Sequence, residues 1–185
     1  MSLLSAAHSQ VLLVDVQEKL LPTIADGEAI ARRCAFVLTC AGRLAIPVTV
    51  SEQYPKGLGP TLPFLIDGAP AAPRFAKTIF SALGDAAIAD CVGALRGQGR
   101  GQLVLIGIEA HVCVLQTALH ARRAGYEVFV VADAVGSRST RDREAGLARM
   151  EREGVAIITA EMAMFEWLER SGTDDFKALS ALIRG

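Results

Sequence analysis

Short segments of strand length alternate with longer amphipathic segments along this chain, which is the pattern of an α/β protein. Strands are predicted at residues 10–16, 47–51, 74–78, 102–108, 127–132 and 155–159. Helices are predicted at residues 26–44, 85–95, 111–124, 141–152, 160–169 and 174–183, with Asp26 as the N-cap of the first. The segment 51–73 is rich in proline and glycine and is predicted to be a long functional loop without regular structure.

Strands that alternate with helices predict a mostly parallel sheet with helices packed on both faces. Six strands joined by right-handed crossovers indicate a three-layer, Rossmann-like α/β fold, whose commonest strand order is 3-2-1-4-5-6. Ligands of this fold bind beyond the carboxyl ends of the strands, where the order reverses between strands 1 and 4. The chemistry is therefore expected just after Val14 and just after Ile108.

Composition and charge narrow the class of protein. The 185 residues are 51% hydrophobic and only 21% charged, which predicts one globular domain over residues 1–185 and excludes disorder or a coiled coil. The net charge of −1 offers no basic surface for nucleic acid or an anionic membrane. No apolar run approaches the ~20 residues of a membrane span, and the N-terminus lacks a signal peptide, so a cytoplasmic protein is predicted. The apolar excess further predicts a homo-oligomer.

Three side chains near the predicted strand ends are candidates for chemistry. Asp15 follows a buried apolar strand, where a carboxylate is costly unless it is paired or used. Cys113 lies where the helix after strand 4 begins, and a helix N-terminus favours a thiolate and can bind an oxyanion. Lys77 lies in an apolar stretch, which suits a cation that stabilises both of them. The other cysteines, interpreted as small core residues on apolar helical stripes, are Cys34, Cys40 and Cys91.

Four segments together resemble those of the isochorismatase-like cysteine hydrolases: DVQ at 15–17, FAKTIFSAL at 75–83, GIEAHVCVLQTAL at 107–119 and VVADAVGSRS at 130–139. The segment SEQYPKGLGPT at 51–61 resembles the subgroup found as stand-alone isochorismatase-domain proteins. The resemblance implies a six-stranded parallel sheet and a catalytic triad of Asp15, Lys77 and Cys113. It also implies a cis peptide bond before Glu109, which directs the Glu109 and Cys113 N–H groups to one point as an oxyanion hole.

Departures from related families indicate which reaction to expect. Isochorismatases proper, which cleave a vinyl ether, generally lack the cysteine, so Cys113 favours hydrolysis of a small amide or related acyl substrate. In the predicted mechanism Asp15 accepts the thiol proton, Lys77 favours the thiolate, and a thioester forms that water then hydrolyses. No histidine follows strand 2, where nicotinamidases hold a metal, and the three histidines show no ligand spacing. No metal and no other cofactor is therefore expected.

The small-molecule substrate is predicted to contact residues near the carboxyl ends of the strands. These residues are Gln17, Leu20, Gln53, Tyr54, Phe80 and His111. A surface position on a helix is the alternative for Gln17, and a helix cap is the alternative for His111. Arg138 is interpreted as a structural partner of Asp133 in preference to a carboxylate-binding group, and Glu52 as a solvated loop acid.

Two other functions stay open. One is a catalytically silent protein that keeps this fold for binding or assembly, although the intact trio of Asp15, Lys77 and Cys113 argues against it. The other is a thiol-based redox sensor that uses Cys113, although no resolving cysteine lies nearby in sequence. Dinucleotide binding, a P-loop and the serine nucleophile elbow are excluded because the glycine motif of each is absent.

Overall fold

A computed structural model describes residues 2–183. Its centre is a six-stranded, all-parallel sheet with the order β3-β2-β1-β4-β5-β6. The strands are β1 Ser9–Val14, β2 Val48–Gln53, β3 Arg74–Lys77, β4 Gln102–Ile108, β5 Glu127–Gly136 and β6 Ala156–Ile158. The predicted fold class and strand order are confirmed. The predicted domain also includes residues 1, 184 and 185, which lie outside the described residues.

Helices connect the strands and cover the sheet. They are α1 Gly27–Arg43, α2 Pro55–Leu58, α3 Pro63–Gly68, α4 Ala86–Gly97, α5 Leu115–Arg123, α6 Thr140–Arg152, α7 Ala160–Leu168 and α8 Asp174–Ser180. Short 3-10 turns lie at Leu21–Thr23, Ala82–Gly84 and Ala181–Ile183, and one π-helical turn lies at Ala110–Val114. The single helix predicted over 111–124 is thus a π-helical turn followed by α5. In the described part of the chain, no helix is long and apolar enough to cross a membrane.

Side-chain caps explain where several helices begin. The side chains that accept hydrogen bonds from first-turn backbone N–H groups are Asp85, Ser139, Thr159 and Thr173. Asp26 does precede α1, but it has a φ of 55° and its side chain makes no cap hydrogen bond. Asp26 is therefore at the predicted N-cap position, but its side chain does not cap the helix.

The two faces of the sheet are buried under different helices, because side chains alternate along each strand. Val11 and Leu13 of β1 belong to a core cluster shared with α1 and α7. Leu12 and Val14 belong to a second cluster shared with α4 and α5. Helices therefore cover both faces, as the continuous apolar strands predict.

The segment 51–73 is more ordered than the sequence predicts. β2 continues to Gln53, and the rest of the segment contains α2 and α3. Glu52, predicted to be solvated, accepts hydrogen bonds from the Thr61 N–H and hydroxyl, both at 2.8 Å. The prediction of a structureless loop is wrong. Hydrogen bonds with the backbone of neighbouring segments satisfy the polar groups of this segment. The backbone N–H groups of Glu18, Lys19 and Leu62 donate to the carbonyls of Pro60, Leu58 and Val16, respectively.

A glycine lets β4 approach β1 closely where both strands end. Gly107 has a φ of +115°, and a Cβ there would lie 2.1 Å from the Val14 carbonyl oxygen. A side chain is excluded by this contact as well as by the backbone conformation. The close approach brings together the segments that follow β1 and β4, where the chemistry is predicted.

Candidate active site

Asp15 and Lys77 form a buried ion pair at the carboxyl end of the sheet. Asp15 follows β1, and Lys77 is the last residue of β3, on the far side of β2. The parallel ladders align these ends, because Val14 pairs with Ser51 and Gln53 pairs with Lys77. Lys77 Nζ lies 2.7 Å from Asp15 Oδ2, and both side chains are 0% exposed. Each charge therefore compensates the cost of burying the other.

Further hydrogen bonds orient this pair. The Lys77 ammonium also donates to Gln53 Oε1 at 2.6 Å and to the Phe80 carbonyl at 3.1 Å. The Ser51 hydroxyl donates to Asp15 Oδ1 at 2.7 Å, and the Asp15 N–H donates to the Ser51 carbonyl at 3.0 Å. Asp15 has a φ of 55°, which is uncommon outside glycine, and these contacts hold it in that conformation.

Cys113 approaches the pair from the other side of β1. It lies in the π-helical turn after β4, and the residue is 6% exposed. The Asp15 carboxylate and the Lys77 ammonium are both near enough to its thiol to act on its pKa. Side chains from three distant segments are thus neighbours in one buried cluster.

The surroundings of Cys113 favour its protonated thiol. Burial raises the pKa of Cys113 to about 12, and the negative charge of Asp15 acts in the same direction. The Lys77 ammonium lowers this pKa without offsetting the other two effects. The predicted effect of Lys77, which favours the thiolate, is therefore present but is outweighed in the resting site. The thiol needs a base to lose its proton, and Asp15 is the carboxylate that acts on it electrostatically.

The turn that carries Cys113 is braced from two sides. The Thr117 hydroxyl donates to the Cys113 carbonyl at 2.6 Å and accepts from the Ala82 N–H at 2.8 Å. On the other side, α6 packs closely against the turn through Gly146, where a Cβ would lie 3.0 Å from His111 Cα. The Thr117 hydrogen bonds link the Cys113 turn to the segment that follows Lys77, and the Gly146 contact links the turn to α6.

Glu109 connects β4 to this turn. The Ile108–Glu109 peptide bond is cis, as the resemblance implies. Glu109 Oε2 accepts from Arg138 Nε at 2.8 Å, and 61% of the Arg138 side chain is exposed. The predicted pairing of Arg138 with Asp133 is wrong, because Asp133 instead pairs with Arg33 at 2.9 Å.

Two of the six predicted substrate contacts belong to the framework of the site. Gln17 is fully buried, and its amide donates to the carbonyls of Gln53 and Gly59 at 3.0 and 2.6 Å. Its Oε1 accepts from the Gln53 N–H at 2.7 Å. Gln17 is therefore neither a surface residue nor exposed to a substrate. Gln53 orients the Lys77 ammonium and donates to the Thr78 carbonyl at 2.8 Å.

The other four predicted contacts differ in exposure. Leu20 is half-buried against the core cluster under α1. Tyr54 and Phe80 are 55% and 51% exposed, so their rings are accessible to a ligand. His111 is half-buried, with its Nδ1 3.0 Å from the Ser137 hydroxyl. The contact of these four residues with substrate stays a prediction.

Two buried hydroxyl groups of the site, those of Ser51 and Thr117, are not evident from their neighbours in the sequence. Ser51 is recognisable only when strands 1 and 2 are aligned, because it pairs with Val14, the residue before Asp15. Thr117 follows Cys113 by four residues, a spacing that places two residues on the same face of a helix. That spacing is the one local signal that indicates its role.

The remaining cysteines show no sign of shared chemistry. Cys34 and Cys40 are buried, as predicted, and burial raises the pKa of both thiols. Cys91 is only half-buried, with its Sγ 3.7 Å from Thr49 Oγ1, so its interpretation as a core residue is wrong. Within residues 2–183, no group of three or more histidine, cysteine or acidic side chains is arranged to hold a metal ion.

Comparisons with known proteins point to one family. The isochorismatase domain model matches residues 9–162. Isochorismatase domain-containing protein 2 from Danio rerio is 38% identical over 181 residues, which cover 97% of this chain and 89% of that protein.

Solved structures resemble the fold over nearly the whole chain. MAR1 ribonuclease from Caenorhabditis elegans has a TM-score of 0.92 and 36% identity, covering 100% of this chain and 93% of that one. The YcaC gene product of Escherichia coli, described as an octameric hydrolase of unknown specificity, has a TM-score of 0.88 and 26% identity, covering 97% and 89%.

The sheet topology and these similarities define a hydrolase with a Rossmann-like fold. More particularly, the chain belongs to the isochorismatase family, among the members that resemble stand-alone isochorismatase-domain proteins.

Proposed function

We propose that this protein is a cysteine-dependent hydrolase that cleaves a small amide or related acyl substrate through a thioester on Cys113. The observation that carries the proposal is the buried Asp15–Lys77 ion pair beside one buried thiol, on whose pKa both members of the pair act. Amide hydrolysis needs a nucleophile, a base that activates it and an acid that protonates the leaving amine. The thiol and the carboxylate supply these three roles, with Lys77 orienting the carboxylate.

Proton transfer and attack are coupled in the first step. Asp15 accepts the Cys113 proton while the sulfur forms a bond to the acyl carbon, because a thiol with a pKa of about 12 supplies little free thiolate. Lys77 remains beside both groups and stabilises negative charge on either of them. The Glu109 and Cys113 N–H groups bind the oxyanion, and the loss of one such donor typically costs about 3 kcal/mol of barrier.

The second half of the reaction regenerates the enzyme. The tetrahedral intermediate collapses with cleavage of the acyl C–N bond, and Asp15 returns its proton to the departing amine. Asp15 then takes a proton from water, whose oxygen attacks the thioester carbon. The C–S bond breaks, the acid is released, and Cys113 recovers its thiol proton.

The proposal assigns all proton transfers to this chain's own side chains, so it invokes no metal or cofactor. Leu20, Tyr54, Phe80 and His111 are proposed as contacts of the substrate. A cytoplasmic homo-oligomer is proposed as the working form, and the similarity to the octameric YcaC hydrolase supports self-association.

The name of the MAR1 ribonuclease raises RNA as a second substrate class. We favour an acyl substrate because a cysteine nucleophile with an adjacent base is suited to forming a thioester. The net charge of −1 also gives little attraction for a polyanion.

The proposal is tested with p-nitrophenyl acetate, an activated acyl ester, and with a panel of amides and carbamoyl compounds. We expect a burst of p-nitrophenolate and an acetyl adduct on Cys113 detected by mass spectrometry. Cys113→Ala and Asp15→Asn should each abolish the burst. Cys91→Ala, which removes the half-buried thiol of α4, is the matched control and should keep it. Normal acylation of Cys113→Ala would refute the covalent mechanism.

The same variants separate the other functions. The absence of any adduct, with similarly slow alkylation of all thiols by iodoacetamide, indicates a silent binding or assembly protein. Reversible oxidation of Cys113 by peroxide without acylation indicates a redox sensor. Cleavage of a short RNA that persists in Cys113→Ala indicates a nuclease site elsewhere in the protein.

A further inference from the structure

The hydroxyl of Ser51 contacts the proposed base directly, yet the mechanism above gives it no part. Ser51 is fully buried in β2, and its Oγ donates to Asp15 Oδ1 at 2.7 Å. The second carboxylate oxygen, Oδ2, accepts from Lys77 Nζ, also at 2.7 Å. Each oxygen of the carboxylate therefore has its own short hydrogen bond, which fixes the plane of the group.

The position of Ser51 in the strand links it to both members of the ion pair. Its carbonyl also accepts the Asp15 N–H at 3.0 Å, so the residue holds Asp15 at two points. Gln53, two residues later and hence on the same face of β2, accepts from the Lys77 ammonium. Successive side chains on one face of β2 thus contact first the carboxylate and then the ammonium.

We propose that Ser51 is a positioning residue for the proton transfers of Asp15. Its hydroxyl aims the carboxylate at the Cys113 thiol and stabilises the ionised form that accepts the proton. A hydroxyl both donates and accepts, so after rotation it can accept a hydrogen bond from the protonated carboxyl. The contact then persists through the cycle, and the Ser51 hydrogen stays on its own oxygen throughout. The inference rests on the proposed role of Asp15 as the base.

Few other groups act on this carboxylate. Among the described residues, Lys77 of β3 is the charged side chain paired with Asp15, and the thiol of Cys113 in the π-helical turn interacts with it electrostatically. Neither is altered in the Ser51 variants, so a change in pH dependence reports the lost hydroxyl.

The test is the pH profile of Cys113 acylation by p-nitrophenyl acetate, whose acid limb follows protonation of the base. In Ser51→Ala the midpoint of that limb should move upward by about one pH unit, the scale of a hydrogen bond to an ionised group. Ser51→Thr keeps a hydroxyl on a residue suited to strands and should restore the wild-type midpoint. Thr49→Val removes a buried hydroxyl from the same face of β2 and should leave the midpoint unchanged.

The outcomes distinguish this inference from the proposed function. If Asp15→Asn abolishes acylation but Ser51→Ala leaves the midpoint of the acid limb in place, the role of Ser51 is refuted and Asp15 remains the base. A wild-type profile without an acid limb overturns both. If Ser51→Ala does not fold, Ser51→Cys takes its place, because a thiol is a weaker donor and the same upward shift is expected. Because that variant carries an additional thiol, mass spectrometry is used so that only the adduct on Cys113 is counted.

Discussion

Replacing Lys77 with methionine should destabilise the protein strongly, because the change leaves the Asp15 carboxylate buried without its counter-charge. Both side chains are 0% exposed, and 2.7 Å separates Lys77 Nζ from Asp15 Oδ2. Removing one partner of such a pair typically costs about 3–5 kcal/mol, whereas replacing both partners costs far less. A domain of ordinary stability unfolds with about 5–15 kcal/mol, so the expected loss is a large share of the total.

The pair is therefore best measured with a double-mutant cycle. The free energies of urea unfolding of Lys77→Met, Asp15→Asn and the double variant are compared with that of the wild type at one protein concentration. The single tryptophan, Trp167, is 3% exposed and provides the fluorescence signal. We expect the double variant to lose less stability than the sum of the losses in the two single variants. The difference, which is the coupling energy of the pair, should be about 2 kcal/mol.

An exposed ion pair of similar length is the matched control. Arg43 Nε lies 2.6 Å from Asp175 Oδ1, but the two side chains are 47% and 45% exposed. The corresponding cycle with Arg43→Met and Asp175→Asn should give a coupling below about 1 kcal/mol. An equally small coupling in the Asp15–Lys77 cycle would refute the claim that each of these buried charges depends on the other for its stability.

Two further predictions concern the close approach of strands and the buried thiols. Gly107→Ala should abolish folding or lower stability severely, because its Cβ would lie 2.1 Å from the Val14 carbonyl oxygen. Gly93→Ala, in α4 with nothing within 4 Å of the new Cβ, should instead raise the unfolding free energy by about 0.5–1 kcal/mol. Stability should also fall as the pH rises from 9 towards 12, because burial raises the pKa values of Cys40 and Cys113 to about 12 from an ordinary 9.0. The fold favours the neutral thiols, so this contribution is complete below pH 9 and is lost as they ionise. A urea midpoint that falls as steeply in Cys40→Ala as in the wild type would contradict the role of Cys40.

The fold was predictable because its signals are local. The run QLVLIGI became β4 with the predicted bounds, since an apolar strand of this length needs burial on both faces. The segment 51–73 was not predictable in the same way. Its proline and glycine residues indicate turns, but hydrogen bonds join the end of α2 and the connection between α2 and α3 to the segment after β1. Such long-range partners leave no periodic pattern in the sequence.

The candidate site was likewise predictable only where its signals are local in the sequence. Asp15, Lys77 and Cys113 could be selected from their neighbours in sequence, and the structure brings these three side chains together. The burial of Gln17 could not be inferred, because its amide partners are the last residue of β2 and a residue of the segment that follows it. The partner of Arg138 was likewise misassigned, since Glu109 lies close to it only after β4 and β5 pair.

By itself the sequence determined the α/β class, the strand order of the sheet, the family and the three side chains on which the proposed chemistry depends. These follow from apolar periodicity and short motifs, which are properties of neighbouring residues. Only the tertiary structure decided that burial and the Asp15 charge raise the pKa of Cys113, that Ser51 and Gln53 orient the ion pair, and that Gln17 is inaccessible. Charge state and burial depend on dielectric surroundings and on distances between segments that are remote in sequence, and those quantities exist only once the chain has folded.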